Sequence, residues 1–167
     1  MKLPLSSNQL KAILGESFVA SLAATVGVLL LDLPIWAVFI GWIAFFTRGI
    51  TATNGAINLV CVLAGLGIGI AAATANIYLE PHLGRFTVTL TVLAVTFVVL
   101  TFQALPTFNN LLGFFLGLVC YFASGLPPTF ESYLALAVAT ALGILAGLLA
   151  SLVKVRFTGG VKPQAGH

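Results

Sequence analysis

The fold depends most on a short apolar and aromatic stretch that begins at a proline, LPIWAVFIGWIAFF at Leu33–Phe46. A similar stretch, LPTFNNLLGFF, begins at Leu105, which is 72 positions after Leu33. Both are bounded by charged or turn-forming residues, and neither offers the roughly 20 apolar residues that a helix needs to cross a membrane. The prediction for the whole chain therefore starts from two short apolar segments that occupy matching positions in its two halves.

Composition indicates that the solvent of this chain is a lipid bilayer. Of 167 residues, 60% are hydrophobic and only 7% are charged, whereas a soluble domain carries roughly a quarter charged residues. This argues against most catalytic and nucleic-acid-binding classes. The net charge is +3, from seven cations and four acids. The cations are dispersed along the chain and form no basic face for a nucleic acid.

Charges and turn residues divide the chain into six apolar segments, and we predict an all-α membrane protein with six transmembrane helices. An uncharged stretch from residue 86 to 130 is too long for one crossing, and Leu105–Pro106 with Asn109–Asn110 breaks it, because proline disfavours a continuing helix. Residues 1–158 would form one transmembrane domain and residues 159–167 a disordered tail. The segments cover residues 12–31, 34–47, 55–79, 86–104, 108–124 and 133–153.

The distribution of basic residues predicts that both termini are cytoplasmic. Loops on the cytoplasmic side accumulate Lys and Arg, and six spans leave only Arg85 on the other side. A cleavable signal peptide is the alternative for the first segment, but Glu16 within it argues against that. The cytoplasmic set is Lys2, Lys11, Arg48, Lys154, Arg156 and Lys162.

The two halves of the chain resemble each other, with residues 12–79 as one copy and 86–153 as the other. Residues 33–42 match 105–114, and after a gap of four residues Phe45–Gly49 matches Tyr121–Gly125. Stripes of small residues that favour close helix packing follow in both copies. They consist of Cys61, Gly65, Gly69 and Ala73 in the first, and Ala139, Gly143, Gly147 and Ser151 in the second.

Three crossings per copy would place the second copy upside down relative to the first. Such inverted repeats recur in transporters, where short segments at matching places point to the binding region. The alternative is that apolar sequences rich in Gly, Leu and Phe align by chance. The short segments 34–47 and 108–124 could also re-enter the membrane without crossing it, which would leave four spans.

Glu16, the one acid inside a predicted span, is the first candidate for chemistry. An intramembrane carboxylate is costly and suggests gating, cation binding or proton transfer. Alternatively, Glu16 lies among the lipid headgroups and pairs with Lys11 or with a cation from a neighbouring loop.

Uncharged polar residues could line a solute path. Asn58 lies among apolar neighbours, where an unpaired amide would be costly. Thr89, Thr96 and Gln103 recur every seven residues and would share one helix face. Their alternative role is to join helices, or to bond the carbonyls of their own helix.

Aromatic and cationic residues complete the set of candidates. Trp42 and Phe114 could form a hydrophobic constriction, although packing in the protein core is the better single interpretation. Arg48 could attract anions at the cytoplasmic side, or simply anchor the topology.

No sequence pattern points to an enzyme, a metal or a cofactor. Gly65, Gly67 and Gly69 lack the further glycine and the strand–turn context of a dinucleotide site. There is no phosphate-binding loop and no serine elbow. His82 and His167 are the only histidines, too few for a metal shell.

The run LPIWAVFIGWIAFF (Leu33–Phe46), followed by a glycine and a glycine-rich span, resembles the YcdZ-like family of small bacterial inner-membrane proteins. The resemblance implies a polytopic protein of the bacterial inner membrane. It implies no catalytic residues.

From the residues we therefore expect a channel or facilitator for a small neutral or anionic solute. The alternative is a structural or accessory subunit that docks on a larger membrane complex. A homo-oligomer is expected because the small-residue stripes and aromatic faces offer contacts in the membrane.

Overall fold

The computed structural model describes residues 6–159, and these form six α-helices without a β-strand. The predicted all-α class is therefore confirmed. Lys2, Lys162 and the predicted tail beyond Gly159 lie outside the described residues. The helices are α1 (Ser7–Thr25), α2 (Ile35–Phe45), α3 (Ala52–Leu83), α4 (Thr87–Thr101), α5 (Leu111–Ser124) and α6 (Phe130–Thr158).

Within residues 6–159, three helical stretches are long and apolar enough to cross a membrane: Ser7–Leu30, Ala52–Ala104 and Phe130–Thr158. By contrast, α2 has 11 residues and α5 has 14. At 1.5 Å per residue these short helices extend about 16 and 21 Å, against a hydrocarbon core of about 30 Å. The helices thus provide three long candidates, and not the six full spans that the sequence predicts.

Local sequence explains where the helices begin and end. Ser6 and Gln9 form a capping box at α1, while Thr51 and Thr129 cap α3 and α6. These side chains accept hydrogen bonds from N–H groups that the first helical turn leaves free. Gly159 ends α6 at a φ of +70°, a conformation that glycine adopts without a steric penalty.

The 53-residue stretch from Ala52 to Ala104 folds back on itself at Gly84, where φ is +52°. The Oγ1 of Thr91 on α4 donates a 2.6 Å hydrogen bond to Oδ1 of Asn76 on α3. The turn and this bond join α3 and α4 as an antiparallel hairpin.

Both α1 and α2 pack against α6. Gly15 of α1 lies beside Val153 and Gly27 beside Leu142, so α1 and α6 run antiparallel. Along α2, Val38 contacts Gly143 and Phe45 contacts Gly147, so α2 and α6 run parallel.

The long helix α3 packs against α5 and α6. Gly65 contacts Phe114 and Gly69 contacts Tyr121, so α3 and α5 run parallel. Gly55 lies beside Ile144, and the Tyr133 hydroxyl donates to the Leu63 carbonyl at 3.4 Å, so α3 and α6 run antiparallel. From α1 to α6, successive helices therefore alternate in direction.

Two sets of close contacts hold the short helices. A Cβ on Gly143 would overlap the Val38 carbonyl oxygen, and a Cβ on Gly65 would overlap that of Phe114. The same relation links Gly41 to Thr140 and Gly117 to Val62. In both places the absent side chain lets backbones touch, as in GxxxG packing.

These contacts repeat at constant sequence offsets. Val38, Gly41 and Phe45 of α2 correspond to Phe114, Gly117 and Tyr121 of α5, each 76 residues later. Positions 62, 65 and 69 of α3 correspond to 140, 143 and 147 of α6, each 78 residues later.

The predicted offset of 72 for the start of the short segments is therefore wrong. It matches Gly41 with Gly113, whereas the contacts match Gly41 with Gly117. Residues 107–110 cause the difference, because they form the loop and cap before α5 and do not extend the helix itself.

Candidate polar site at the junction of α2, α3 and α5

Asn58 is fully buried on α3, among apolar helices. Its Nδ2 donates hydrogen bonds to the carbonyl oxygens of Ala44 at 2.8 Å and Phe45 at 3.2 Å. The last carbonyls of a helix lack partners within it, and α2 ends at Phe45. Asn58 thus completes the end of α2 inside the bundle.

Asn110 connects this helix end to α5. Its Nδ2 donates to Asn58 Oδ1 at 2.7 Å and to Thr47 Oγ1 at 2.6 Å. Its Oδ1 accepts from the Gly113 N–H at 3.3 Å and caps α5. We call the group of Thr47, Asn58 and Asn110 the polar junction.

Arg48 lies at the exposed side of the polar junction. Its guanidinium donates from one nitrogen to the Thr107 carbonyl at 2.8 Å and to Asn109 Oδ1 at 2.5 Å. It therefore fastens the α4–α5 loop to the end of α2. The guanidinium carries further N–H groups, so the predicted role of Arg48 as an anion entrance stays a prediction.

The polar junction brings the end of one short helix close to the start of the other. Helix C-termini carry partial negative charge and helix N-termini partial positive charge. In transporters such ends often hold the solute or ion near interrupted helices. Here both N–H groups of each amide are used within the protein, so the junction is closed.

The polar junction exists at one end of the molecule only. By the offsets of 76 and 78, Thr47 corresponds to Ala123 and Asn58 to Leu136, while Asn110 corresponds to Pro34. Leu136 is fully buried. Matching backbone contacts thus carry different chemistry at the two ends.

Glu16 lies on α1 and forms an ion pair with Lys154 of α6, with 3.6 Å between the Nζ and Oε1 atoms. The cation is thus on α6, neither Lys11 nor a loop residue as the alternative supposed. The two side chains share an external groove with Phe46 and Ile50. A role for Glu16 in a solute path stays a prediction.

The polar face that the sequence predicts on α4 does not face the interior of the helix bundle. Thr89 and Gln103 are exposed, and Thr96 is half-buried. The buried residues of α4 are Thr87, Thr91 and Val99, because this face packs towards α3. A path along the predicted face would lie on the outside of a single chain.

Trp42 and Phe114 occupy separate clusters. The Trp42 ring is half-buried and lies 6.2 Å from the ring of Phe46. Phe114 is buried, with its ring centroid 5.1 Å from that of Phe102. Among the described residues, these two rings therefore do not come together to form one constriction.

Sequence reasoning missed Thr47, Asn109 and Asn110 as site residues. Asn109 and Asn110 entered the prediction only as a helix break. An asparagine directly before an apolar helix is a typical N-cap, and this pattern could have identified Asn110. Within residues 6–159, no group of three or more His, Cys, Asp or Glu side chains could hold a metal ion.

The all-helical fold and its long apolar stretches define the class, a helical membrane protein. Residues 14–154 match the model of a family described as "Protein of unknown function (DUF1097)". Because the match covers most of the chain, the protein belongs to this family. Comparisons with curated proteins and with solved structures give no match.

Proposed function

We propose that the protein is a channel or facilitator for a small neutral or anionic solute in the bacterial inner membrane. In this proposal α1–α3 and α4–α6 are inverted repeats that supply six crossings. The short helices α2 and α5 complete their crossings with the residues beside them. The resemblance to YcdZ-like proteins stays a prediction.

The observation that carries this proposal is that the short helix of each half packs against the last helix of the other half. The first half's short helix packs on α6, and the second half's short helix packs on α3, through corresponding glycine contacts. Alternating helix directions make corresponding helices antiparallel. This is the relation expected of two copies about an axis in the membrane plane, which many transporters use.

Within this scheme the polar junction is a cytoplasmic gate. Residues of the α2–α3 loop lie in one groove with Lys154 and Thr158 at the end of α6, and Arg48 belongs to the same loop. The basic residues favour the cytoplasm for this end. Opening the bond between Asn110 and Asn58 would free amide groups to replace a solute's hydration.

Passive passage is favoured over coupling to a cation gradient. A coupled transporter usually carries ionisable groups within its spans. Among residues 6–159, three acids lie within helices. Glu16 is paired with Lys154, whereas Glu80 lies in the last turn of α3 and Glu131 in the first turn of α6, at the ends of those helices.

Flux into proteoliposomes tests the proposal with urea, ammonia, short organic acids and halides as solutes. Asn110→Ser keeps a capping residue at α5 but removes the bond to Asn58. If that bond contributes about 1 kcal/mol to the closed state, flux should rise about fivefold. The control is Thr140→Val, because the Thr140 hydroxyl bonds only carbonyls of its own helix.

A folded wild-type protein and a folded Asn110→Ser variant that both give no flux above empty vesicles would contradict a conduit. If the wild-type protein and the variant conduct equally, the polar junction is not a gate, but the protein is still a conduit. Flux that requires a dimer or larger assembly would support the expected homo-oligomer.

The second candidate is an accessory subunit of a larger membrane complex. The close backbone contacts at Gly41, Gly65, Gly117 and Gly143 favour it, because they leave no space for a solute between those helices. It predicts a stable partner that co-purifies in mild detergent. A channel predicts that the protein purifies alone and retains flux.

A further inference from the structure

The helix α4 contacts its neighbours along one face and leaves an open groove beside α5. This α4–α5 groove has a volume of about 320 Å³. Apart from Asn76, Thr91 and Thr96, its lining is apolar. The apolar side chains include Val88, Val92, Val95, Phe115, Leu118 and Val119.

A polar pocket adjoins the groove at the turn between α3 and α4. This turn pocket has a volume of about 230 Å³ and is lined by Asn76, Glu80, Arg85 and Thr87, with Gly84 and Val88. Asn76 and Val88 line both spaces. The polar pocket and the apolar groove are therefore adjacent.

Thr87 is an unusual residue in the turn pocket. It is 3% exposed, and its Oγ1 has no hydrogen-bond partner among residues 6–159. Buried hydroxyl groups are nearly always bonded, because an unbonded one loses its water without compensation. A ligand atom in the pocket could supply the missing bond.

The charges of the turn pocket also lack partners. Among residues 6–159, the Lys154–Glu16 pair is the ion pair within 4.0 Å, so Glu80 and Arg85 pair neither with each other nor with another described residue. Asn76 accepts from Thr91 through Oδ1, whereas its Nδ2 donates to no described group. The residues that line this one space thus include one anion, one cation and two neutral polar side chains.

We propose that the turn pocket and the α4–α5 groove together bind one phospholipid whose headgroup carries a phosphate and a primary ammonium. Arg85 suits the phosphate, since a guanidinium bonds phosphate oxygens in a fork. Glu80 accepts from the ammonium, and Thr87 donates to a phosphate or ester oxygen. An acyl chain fills the groove and buries its apolar surface.

Charge complementarity distinguishes this lipid from the alternatives. An anionic headgroup leaves Glu80 without a cation. A trimethylated ammonium carries no N–H to donate to Glu80. A free zwitterionic solute satisfies the turn pocket but leaves the groove empty.

Native mass spectrometry of the full-length protein in mild detergent tests the proposal. The probes are phosphatidylethanolamine, phosphatidylcholine and phosphatidylglycerol with identical acyl chains. We expect the ethanolamine lipid to bind most tightly. Glu80→Gln and Arg85→Gln should each weaken it about two- to fivefold, the range for exposed charge pairs, while Lys154→Gln is the matched control and should not.

Thr87→Val separates binding from folding. It should weaken the ethanolamine lipid without lowering the thermal stability of the lipid-free protein, because the hydroxyl has no partner to lose. Val119→Trp should block the α4–α5 groove, whereas Val138→Trp at an exposed position of α6 should not.

Equal binding of the three lipids, or no effect of the Glu80 and Arg85 variants, would overturn the proposal. So would glycerophosphoethanolamine that binds as tightly as the complete lipid, since it lacks the acyl chains. None of these results depends on solute flux, so this proposal and the conduit can fail separately.

Discussion

Asn110 Nδ2 lies 2.7 Å from Asn58 Oδ1, so the cap of α5 is also a partner of a fully buried amide on α3. Through the bonds of Asn58 to Ala44 and Phe45, the same link reaches the end of α2. Two asparagines that are 52 residues apart in sequence thus join three helices.

Asn58→Leu introduces a leucine at position 58, which is the residue found at the corresponding position 136. The variant should lower the free energy of unfolding by about 1–3 kcal/mol, because the carbonyl groups at the C-terminal end of α2 and the Asn110 amide each lose a buried partner. Unfolding in detergent followed by circular dichroism measures this. An effect no larger than that of Thr140→Val would show that the junction does not stabilise the fold.

Corresponding glycines should respond alike to substitution. Gly65→Ala and Gly143→Ala each put a Cβ against a carbonyl oxygen of a short helix, and we expect a loss of about 1–3 kcal/mol in stability. Gly67→Ala is the control, since the nearest atom to its Cβ would be Tyr133 Cε2 at 3.9 Å. Equal stability of all three variants would contradict the contacts that relate the two halves.

Single cysteines test the topology in a background without Cys61 and Cys120. Arg48→Cys and Lys154→Cys should react with an impermeant thiol reagent only from the cytoplasmic side, and Arg85→Cys only from the other side. The physical basis is that a hydrated charge cannot cross the hydrocarbon core. Labelling of all three from one side would exclude alternating crossings.

Arg48→Gln should loosen the loop before α5, because it removes the guanidinium that bonds Thr107 and Asn109. Hydrogen exchange over residues 105–110 should become faster, while exchange in α6 stays unchanged. Arg48→Lys is the matched variant, since it keeps the charge but loses the planar fork. Unchanged exchange in Arg48→Gln would mean that Arg48 does not hold this loop.

Much of the fold could be predicted from local sequence. The apolar segments, Pro34 before α2 and the glycine stripes predict helices, their approximate limits and their close packing. The alignment of the two short segments at their start could not be predicted. Residues 107–110 align in sequence with residues of α2, but in the structure they form a loop that ends at the Asn110 cap. The match of Phe45–Gly49 with Tyr121–Gly125 already has the offset of 76, and the contacts of Gly41 and Gly117 extend this offset towards the start of the two short helices.

The candidate site was predictable only in part. Asn58 stands out because an amide in an apolar span needs partners. Its partners are the end of α2 and Asn110. They cannot be read from the sequence, because they belong to helices that are far apart along the chain. The face of Thr89, Thr96 and Gln103 is regular in sequence, yet α3 packs against the other face of α4.

The sequence by itself determined the solvent, the helical class and the positions of the small residues, because transfer of apolar side chains to lipid and helix geometry are local properties. Tertiary structure decided which helix each stripe touches, how the amides pair and where the α4–α5 groove opens. Those features depend on contacts between distant segments, and in lipid the hydrophobic effect does not select among them. Backbone approach at glycine and buried hydrogen bonds make that selection.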